Sequence, residues 1–416
     1  MRSFPRSVFF FLPGILFFSS CFTGGAKPAV LWTDRPEFAF YAEYFNASQS
    51  QYKIEPRYFE SPARQLIAAA EAPDIVAGSW LKSASTRSFF KPLDSFFRSG
   101  KIARRAFYPP LFDMGNIGGK QYLLPVSFNI PALIFAQDTG ELLSNPFTVG
   151  FDEAKTLGRA YNQKQNDAYT RMGFSPAWDD EFFLIIARLF NVSFREAAPL
   201  AWDAAALEQS IAFTGGWIQE ANGGIQAEED FTFKYLYDPP VKLVLSGRIL
   251  FAYMDSAGLF TLAEERRASL DFRWIAEKDA IPVIEETVYY GITRRGRARK
   301  AAAAFTRWFF QAETQRLILE KSRDNRMIET SFGIGGGFSA MRSVTEQIFP
   351  RFYPSLLGHM PPEDFLSPAN ILPPQWIAVK KRVILPYLHE RIHYPAQENP
   401  NSLERRIADW RRLSRD

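Results

Sequence analysis

Cysteine is almost absent from this 416-residue chain: Cys21 stands alone, so no intrachain disulfide exists and a packed core must hold the fold. Histidine is nearly as scarce, with only His359, His389 and His393, which leaves few ways to assemble an imidazole metal site. An excess of one charge is missing too. Lys and Arg number 49 against 45 Asp and Glu. The basic runs Arg294-Arg295-Gly296-Arg297 and Arg411-Arg412 are short and read as solvated faces, so no nucleic-acid partner is expected. No apolar stretch reaches the roughly 20 residues that a membrane-crossing helix needs. Phosphate-loop chemistry lacks its residues: Gly119-Lys120-Gln121 has no hydroxyl after the lysine, and Phe338 breaks the glycine pattern that begins at Gly333. No serine-centred elbow, internal repeat or low-complexity segment is present.

What is present starts at the N-terminus. Arg2 and Arg6 precede an apolar run from Val8 to Phe18, followed by Ser19-Ser20-Cys21, the layout of a secretory signal. Phe18-Ser19-Ser20-Cys21 resembles a bacterial lipobox, with Phe18 where leucine is usual. That resemblance implies a signal over residues 1–20, a lipidated tether over 21–28 with the lipid on Cys21, and a protein exported and held on a membrane, facing the periplasm or the cell exterior. Ordinary cleavage nearby, leaving Cys21 a thiol, is the alternative. The remainder is globular in composition, with 47% hydrophobic and 23% charged residues. Forty Phe, sixteen Tyr and nine Trp predict a Phe-packed core, a ring-lined cleft, or both.

Ala29 to Thr33 reads as a buried strand. Asp34 is expected to cap a helix, with Glu37 completing a capping-box pair and Phe38, Tyr41, Tyr44 and Phe45 on one face. Strands over Tyr52 to Phe59 and Asp74 to Gly78 flank a helix from Pro62 to Glu71, which makes β-α-β-α-β and a parallel sheet. Further strands are expected over Gln121 to Ser127, Ala132 to Gln137, Ile249 to Met254, Asp271 to Ile275 and Glu286 to Ile292. Between Phe151 and Arg248 the pattern is mostly helical, with a buried helix at Phe182 to Phe190, and Ala298 to Lys321 reads as one long amphipathic helix. Alternation that stops and resumes predicts an α/β chain in two lobes.

Several segments carry a resemblance in order: Leu31-Trp32 with the aromatic helix behind it, Pro92-Leu93-Asp94, Gly118-Gly119-Lys120-Gln121-Tyr122-Leu123-Leu124-Pro125-Val126, Ala301 to Gln315, Gly336-Gly337-Phe338-Ser339, and Pro373-Pro374-Gln375-Trp376. Over residues 30 to 390 the chain resembles family 1 extracellular solute-binding proteins, the receptors of carbohydrate-type ABC importers. The resemblance implies a two-lobed, periplasmic-binding-protein-like (type II) fold with a ligand cleft between the lobes, no cofactor and no catalysis. Its partners would be a carbohydrate solute and the permease subunits. Residues 29–134 plus 290–328 would form lobe 1 and residues 135–289 plus 329–416 lobe 2, with crossings near Ile134 to Gln137, Glu286 to Tyr290 and Ile328 to Gly333.

Sugars offer flat C–H faces to aromatic rings and hydroxyl edges to polar side chains, and parallel sheets bind ligands at their strand ends. The candidate contacts are therefore Trp32, Asp34, Arg35 and Glu37 at the first rim and Ser79 and Trp80 at the second, together with Asn129, Trp178, Asp179, Tyr253, Asp255, Tyr289, Tyr290 and Phe338. Trp32 and Trp80 head this set. Each has a plainer reading: Asp34 and Asp179 as helix caps, Trp178 and Tyr253 as core, and one of Tyr289 and Tyr290 turned away because neighbours in a strand alternate.

The rival reading is His389-Glu390-Arg391-Ile392-His393, which matches H-E-x-x-H and would put two imidazoles on one helix face with Glu390 activating water on zinc. Arg391 and the confining Pro386 and Pro395 argue for two solvent-facing histidines instead. A lipoprotein with a structural or adhesive role is a third possibility.

Overall fold

The computed structural model describes residues 27–198, 200–394 and 401–413. Cys21 and the expected signal and tether up to residue 26 lie outside the described residues. Among those described, no helix is long and apolar enough to cross a membrane.

The chain opens as strand β1 (Ala29–Thr33), helix α1 (Glu37–Ser48), β2 (Ile54–Tyr58), α2 (Pro62–Ala68) and β3 (Ile75–Gly78). β1 pairs in parallel with β2 on one side and β3 on the other, as the alternation requires. Helix α1 begins later than expected. Pro36 takes the cap position without a side-chain hydrogen bond, and Asp34 is drawn away to the backbone of Ser79, so the capping box does not form. Phe38, Tyr41 and Phe45 do bury one face of α1.

Two further strands follow, β4 (Leu124–Phe128) and β5 (Pro131–Ala136), separated only by Asn129 and Ile130. After β6 (Thr148–Val149) come helices α3 (Asp180–Leu189), α4 (Ala204–Asn222) and α5 (Ile225–Lys234), then β7 (Ala252–Asp255), α6 (Ser256–Thr261), β8 (Leu270–Ile275) and β9 (Val288–Ile292). Helices α7 (Arg299–Phe309) and α8 (Ala312–Asp324) replace the single long helix. The break falls at Phe310 and Gln311, where Phe310 turns into the core against Phe107 and Tyr290. The chain ends with β10 (Phe338–Ser339), α9 (Leu385–His393) and α10 (Leu403–Leu413).

Two sheets result. The first runs β10-β4-β9-β3-β1-β2, with β9 antiparallel to both its neighbours, and the second β7-β5-β8-β6. Strand membership moves the expected crossings. β5 lies wholly in the second sheet, so the first crossing is at Asn129-Ile130, before Ile134; β10 pairs with β4, so the chain is still in the first lobe at Ser339. Much of the phenylalanine is core. Phe338 packs against Phe128, Phe332, Phe349, Phe260 and Trp274, joining side chains of both sheets.

One buried carboxyl sets a pH dependence. Glu228 of α5 accepts hydrogen bonds from Ser175 Oγ and Asn222 Nδ2, each at 2.5 Å, and burial pushes it up to about 7 despite those donors. A raised acid favours the folded state below its unfolded value of 4.5, and that contribution is lost as pH rises toward 7. The protein is therefore expected to lose on the order of 3 kcal/mol across that interval through this group. Glu228→Gln should remove that slope in urea titrations at pH 4.5, 6 and 8; an unchanged slope would show that Glu228 does not titrate there.

Candidate functional site

The carboxyl ends of β1 and β3 meet at Arg35. Thr33 Oγ1 accepts from the Arg35 amide at 3.0 Å, and Arg35 Nη2 donates to Ser79 Oγ at 3.0 Å and to the Glu286 carbonyl at 3.3 Å. Ser79 Oγ also reaches that carbonyl, at 3.3 Å, so both rims are tied to the segment that leads into β9. Asp34 lies across the β3 rim: its Oδ2 accepts from Ser79 N at 3.0 Å, and its Oδ1 sits 3.4 Å from Arg35 Nε. Gly78 makes the room, because a Cβ there would lie 2.9 Å from Asp34 Oδ1. Burial pushes the Asp34 carboxyl up, with Arg35 opposing it. Asp34 Oδ1, Arg35 Nε and Glu37 Oε2 are buried without a hydrogen-bond partner, which is unusual for groups of this kind. The other oxygen of Glu37 accepts from Ser331 Oγ.

Asn129 spans the first crossing. Its Nδ2 donates to Gly336 O at 2.9 Å, its Oδ1 accepts from Ser256 Oγ at 2.6 Å, and its carbonyl accepts from Ile284 N at 2.8 Å. In the second lobe Asp179 caps α3 through Glu181 N at 2.9 Å, and Asp255 caps α6 through Gly258 N at 2.7 Å. Burial raises both carboxyls. It raises the Tyr253 hydroxyl too, helped by Asp255, Asp179, Glu181 and Glu285 around it. Lys380 answers this acidity, 2.9 Å from Glu181 and 3.9 Å from Glu285. Trp178 stacks on Phe231 at 5.9 Å and 19°, its indole N–H buried and unpartnered. Trp178, Asp179, Phe182, Phe231 and Tyr253 line a cavity of about 160 Å³.

The candidate residues thus divide. Asp34, Arg35, Glu37, Ser79 and Asn129 gather around the first rims, and Trp178, Asp179, Tyr253 and Asp255 gather in the second lobe. Trp32 and Trp80 are only 6% and 7% exposed, Trp32 packing on Phe59 at 4.9 Å. Trp80 holds φ at +66°, a left-handed backbone that non-glycine residues seldom adopt and that tends to mark functional sites. Tyr289, Tyr290 and Phe338 are fully buried. Both tyrosines point inward because both faces of that sheet are covered: Tyr289 OH bonds Leu111 O, and Tyr290 OH pairs with Thr306. Sequence reasoning missed Glu286, Glu181 and Lys380. The pair Glu285-Glu286, set just before an apolar strand, was the available signal. A larger cavity, about 770 Å³, between α3 and residues 367–376 holds none of the predicted residues.

The arrangement of the chain is shared with solved structures. The fold is that of a two-lobed solute-binding protein. One such structure, a cyclo/maltodextrin-binding protein complexed with maltotetraose, matches with a TM-score of 0.61 at 14% identity, over 94% of this chain and 98% of that one. The sugar-binding protein MalE of Xanthomonas citri matches at 0.61 and 12%, over 93% and 96%. An ABC substrate-binding protein of Listeria monocytogenes in complex with cycloalternan matches at 0.60 and 11%, over 93% and 98%. No family model matches the chain, and no curated protein does.

The H-E-x-x-H segment lies on α9, which packs against α3 and α4. His389 and His393 stack at 3.8 Å, their Nδ1 atoms 3.3 Å from Asp180 and Glu229 respectively. Glu390, the would-be base, instead pairs with Arg406 at 2.7 Å. His393 is buried, so the expectation of two solvent-facing histidines fails for it. Among the described residues no group of three or more His, Cys, Asp and Glu could hold a metal.

Proposed function

We propose that this two-lobed solute-binding protein is the receptor of an ABC importer, exported and lipid-anchored through Cys21, that holds a sugar or oligosaccharide between its lobes and presents it to the permease. The observation that carries the reading is Arg35: a guanidinium tied to Ser79 at the β3 rim and to the segment entering β9, with its Nε and the facing Asp34 Oδ1 an ion pair at 3.4 Å that makes no hydrogen bond. Such a constellation suits hydroxyl pairs, which can accept from the guanidinium and donate to the carboxylate. In the second lobe the half-buried Trp178 and the acids Asp179 and Asp255 would supply the stacking surface and further acceptors that a sugar ring needs. A ligand touching both lobes binds the closed state better and shifts the population toward it by that difference alone. No bond is made or broken.

A thermal-shift screen of the chain from residue 27 onward tests this, with maltotetraose, mannobiose, tagatose and zinc as ligands. A sugar at a hundredfold its Kd should stabilise the fold by about 2.7 kcal/mol. Stabilisation by zinc alone, abolished by His393→Ala, would overturn the receptor reading.

A further inference from the structure

The run Arg294-Arg295-Gly296-Arg297 takes no part in the cleft. The structure folds it against the opposite, amino end of β1. Asp74 makes the join: its Oδ2 accepts from Val30 N at 3.0 Å, its Oδ1 from Ala298 N at 2.6 Å, and its carbonyl from Thr293 N at 3.0 Å. Gly296 permits that approach, since a Cβ there would lie 2.8 Å from Asp74 Oδ1. The loop therefore sits beside the residues at which the chain leaves toward Cys21.

The exposed charges of this face are predominantly basic. Arg294, Arg295, Arg297, Arg299, Lys300 and Lys27 are exposed, and Lys91 lies half-buried close enough to Arg299 to feel its charge. Two carboxylates stand within the patch, and neither neutralises it. Asp74 is engaged by backbone amides, and Glu71 meets Arg297 at 3.5 Å with both side chains more than three-quarters exposed, an arrangement worth little. Lys27 lies six positions beyond Cys21, and an extended chain covers at most roughly 20 Å in that length. Fields from exposed charges fade over about 8 Å at physiological salt, so a surface this near a bilayer is the one able to sense its headgroups.

We propose that this basic face, at the end of the first sheet remote from the cleft, binds anionic phospholipid headgroups. Its location beside a membrane rests on the anchored-receptor reading; its chemistry does not. Because β1 carries the basic face at one end and the Asp34-Arg35 rim at the other, a receptor resting on lipid this way turns its cleft outward to solvent.

The chain from residue 27 onward, which holds every described element, can be sedimented with vesicles of phosphatidylcholine alone or enriched in phosphatidylglycerol. We expect partition onto the anionic vesicles only, weakening as salt rises. Arg295→Ala, Arg297→Ala and Lys300→Ala should each weaken it about fivefold. Equal partition onto both vesicle types would overturn the proposal, as would loss of binding by Arg405→Ala with Arg411→Ala on α10 while the loop variants bind normally. Each variant is also checked for its sugar-induced thermal shift. Vesicle binding without any sugar response would sink the receptor reading and leave this one standing.

Discussion

Replacing Phe338 with alanine is expected to destabilise the protein by about 3–5 kcal/mol while leaving the sugar affinity of the folded fraction unchanged. The residue follows a glycine-rich loop, where a ligand-facing ring is a natural expectation, yet its side chain is fully buried. It lies 4.9 Å from Phe332, 5.6 Å from Phe128 and 5.9 Å from Trp274, so its loss opens a cavity where β10 meets aromatic rings of both lobes. Urea unfolding reads the stability and calorimetry below the transition reads the affinity. A variant of normal stability that no longer binds sugar would make the ring a ligand contact after all.

Arg35→Ala should do the reverse. Hydrogen bonds to a charged group contribute about 1.5–3 kcal/mol, which corresponds to a roughly 10- to 100-fold loss of sugar affinity. Stability should change little, since the guanidinium is partly solvated and the strand rims keep the bonds that Ser79 donates to the Asp34 carboxylate and to the Glu286 carbonyl. Arg35→Lys should recover only part of the affinity, because a single ammonium cannot stand both where Nη2 meets Ser79 and where Nε faces Asp34. Titration calorimetry of the two variants against maltotetraose or another responding sugar checks this; unchanged affinity in Arg35→Ala would move the site elsewhere.

What the sequence made legible was local. Apolar periodicity placed β1, α1, β2, α2 and β3 within a few residues, because each buries one face or one run against its neighbours. Asp34 shows where such reasoning stops. Its spacing to Glu37 fits a capping box, but an amide 45 positions away at Ser79 competes for the carboxylate and wins. Tyr289 and Tyr290 show a second limit: alternation predicts one outward ring, and only knowing that helices cover both faces makes two buried rings intelligible. The break between α7 and α8 has no Gly or Pro to announce it. Phe310 ends the helix by entering the core, an event of packing that propensity does not encode. Lys380 reaches Glu181 across about half the chain, and no pattern of spacing connects them.

Asn129 has a mechanical meaning. One amide grips Gly336 of the first lobe and Ser256 of the second, while its own carbonyl holds Ile284 on the second connection. A clamp shared by two connections opposes sliding of one past the other and leaves rotation about it as the easier motion. Motion of that kind is amplified with distance from the pivot: a few degrees at Asn129 would displace the far rims by several times the shift felt next to the clamp. In the closure proposed above, the pivot would keep its own bonds, and the stroke of the jaw would be governed at its tips.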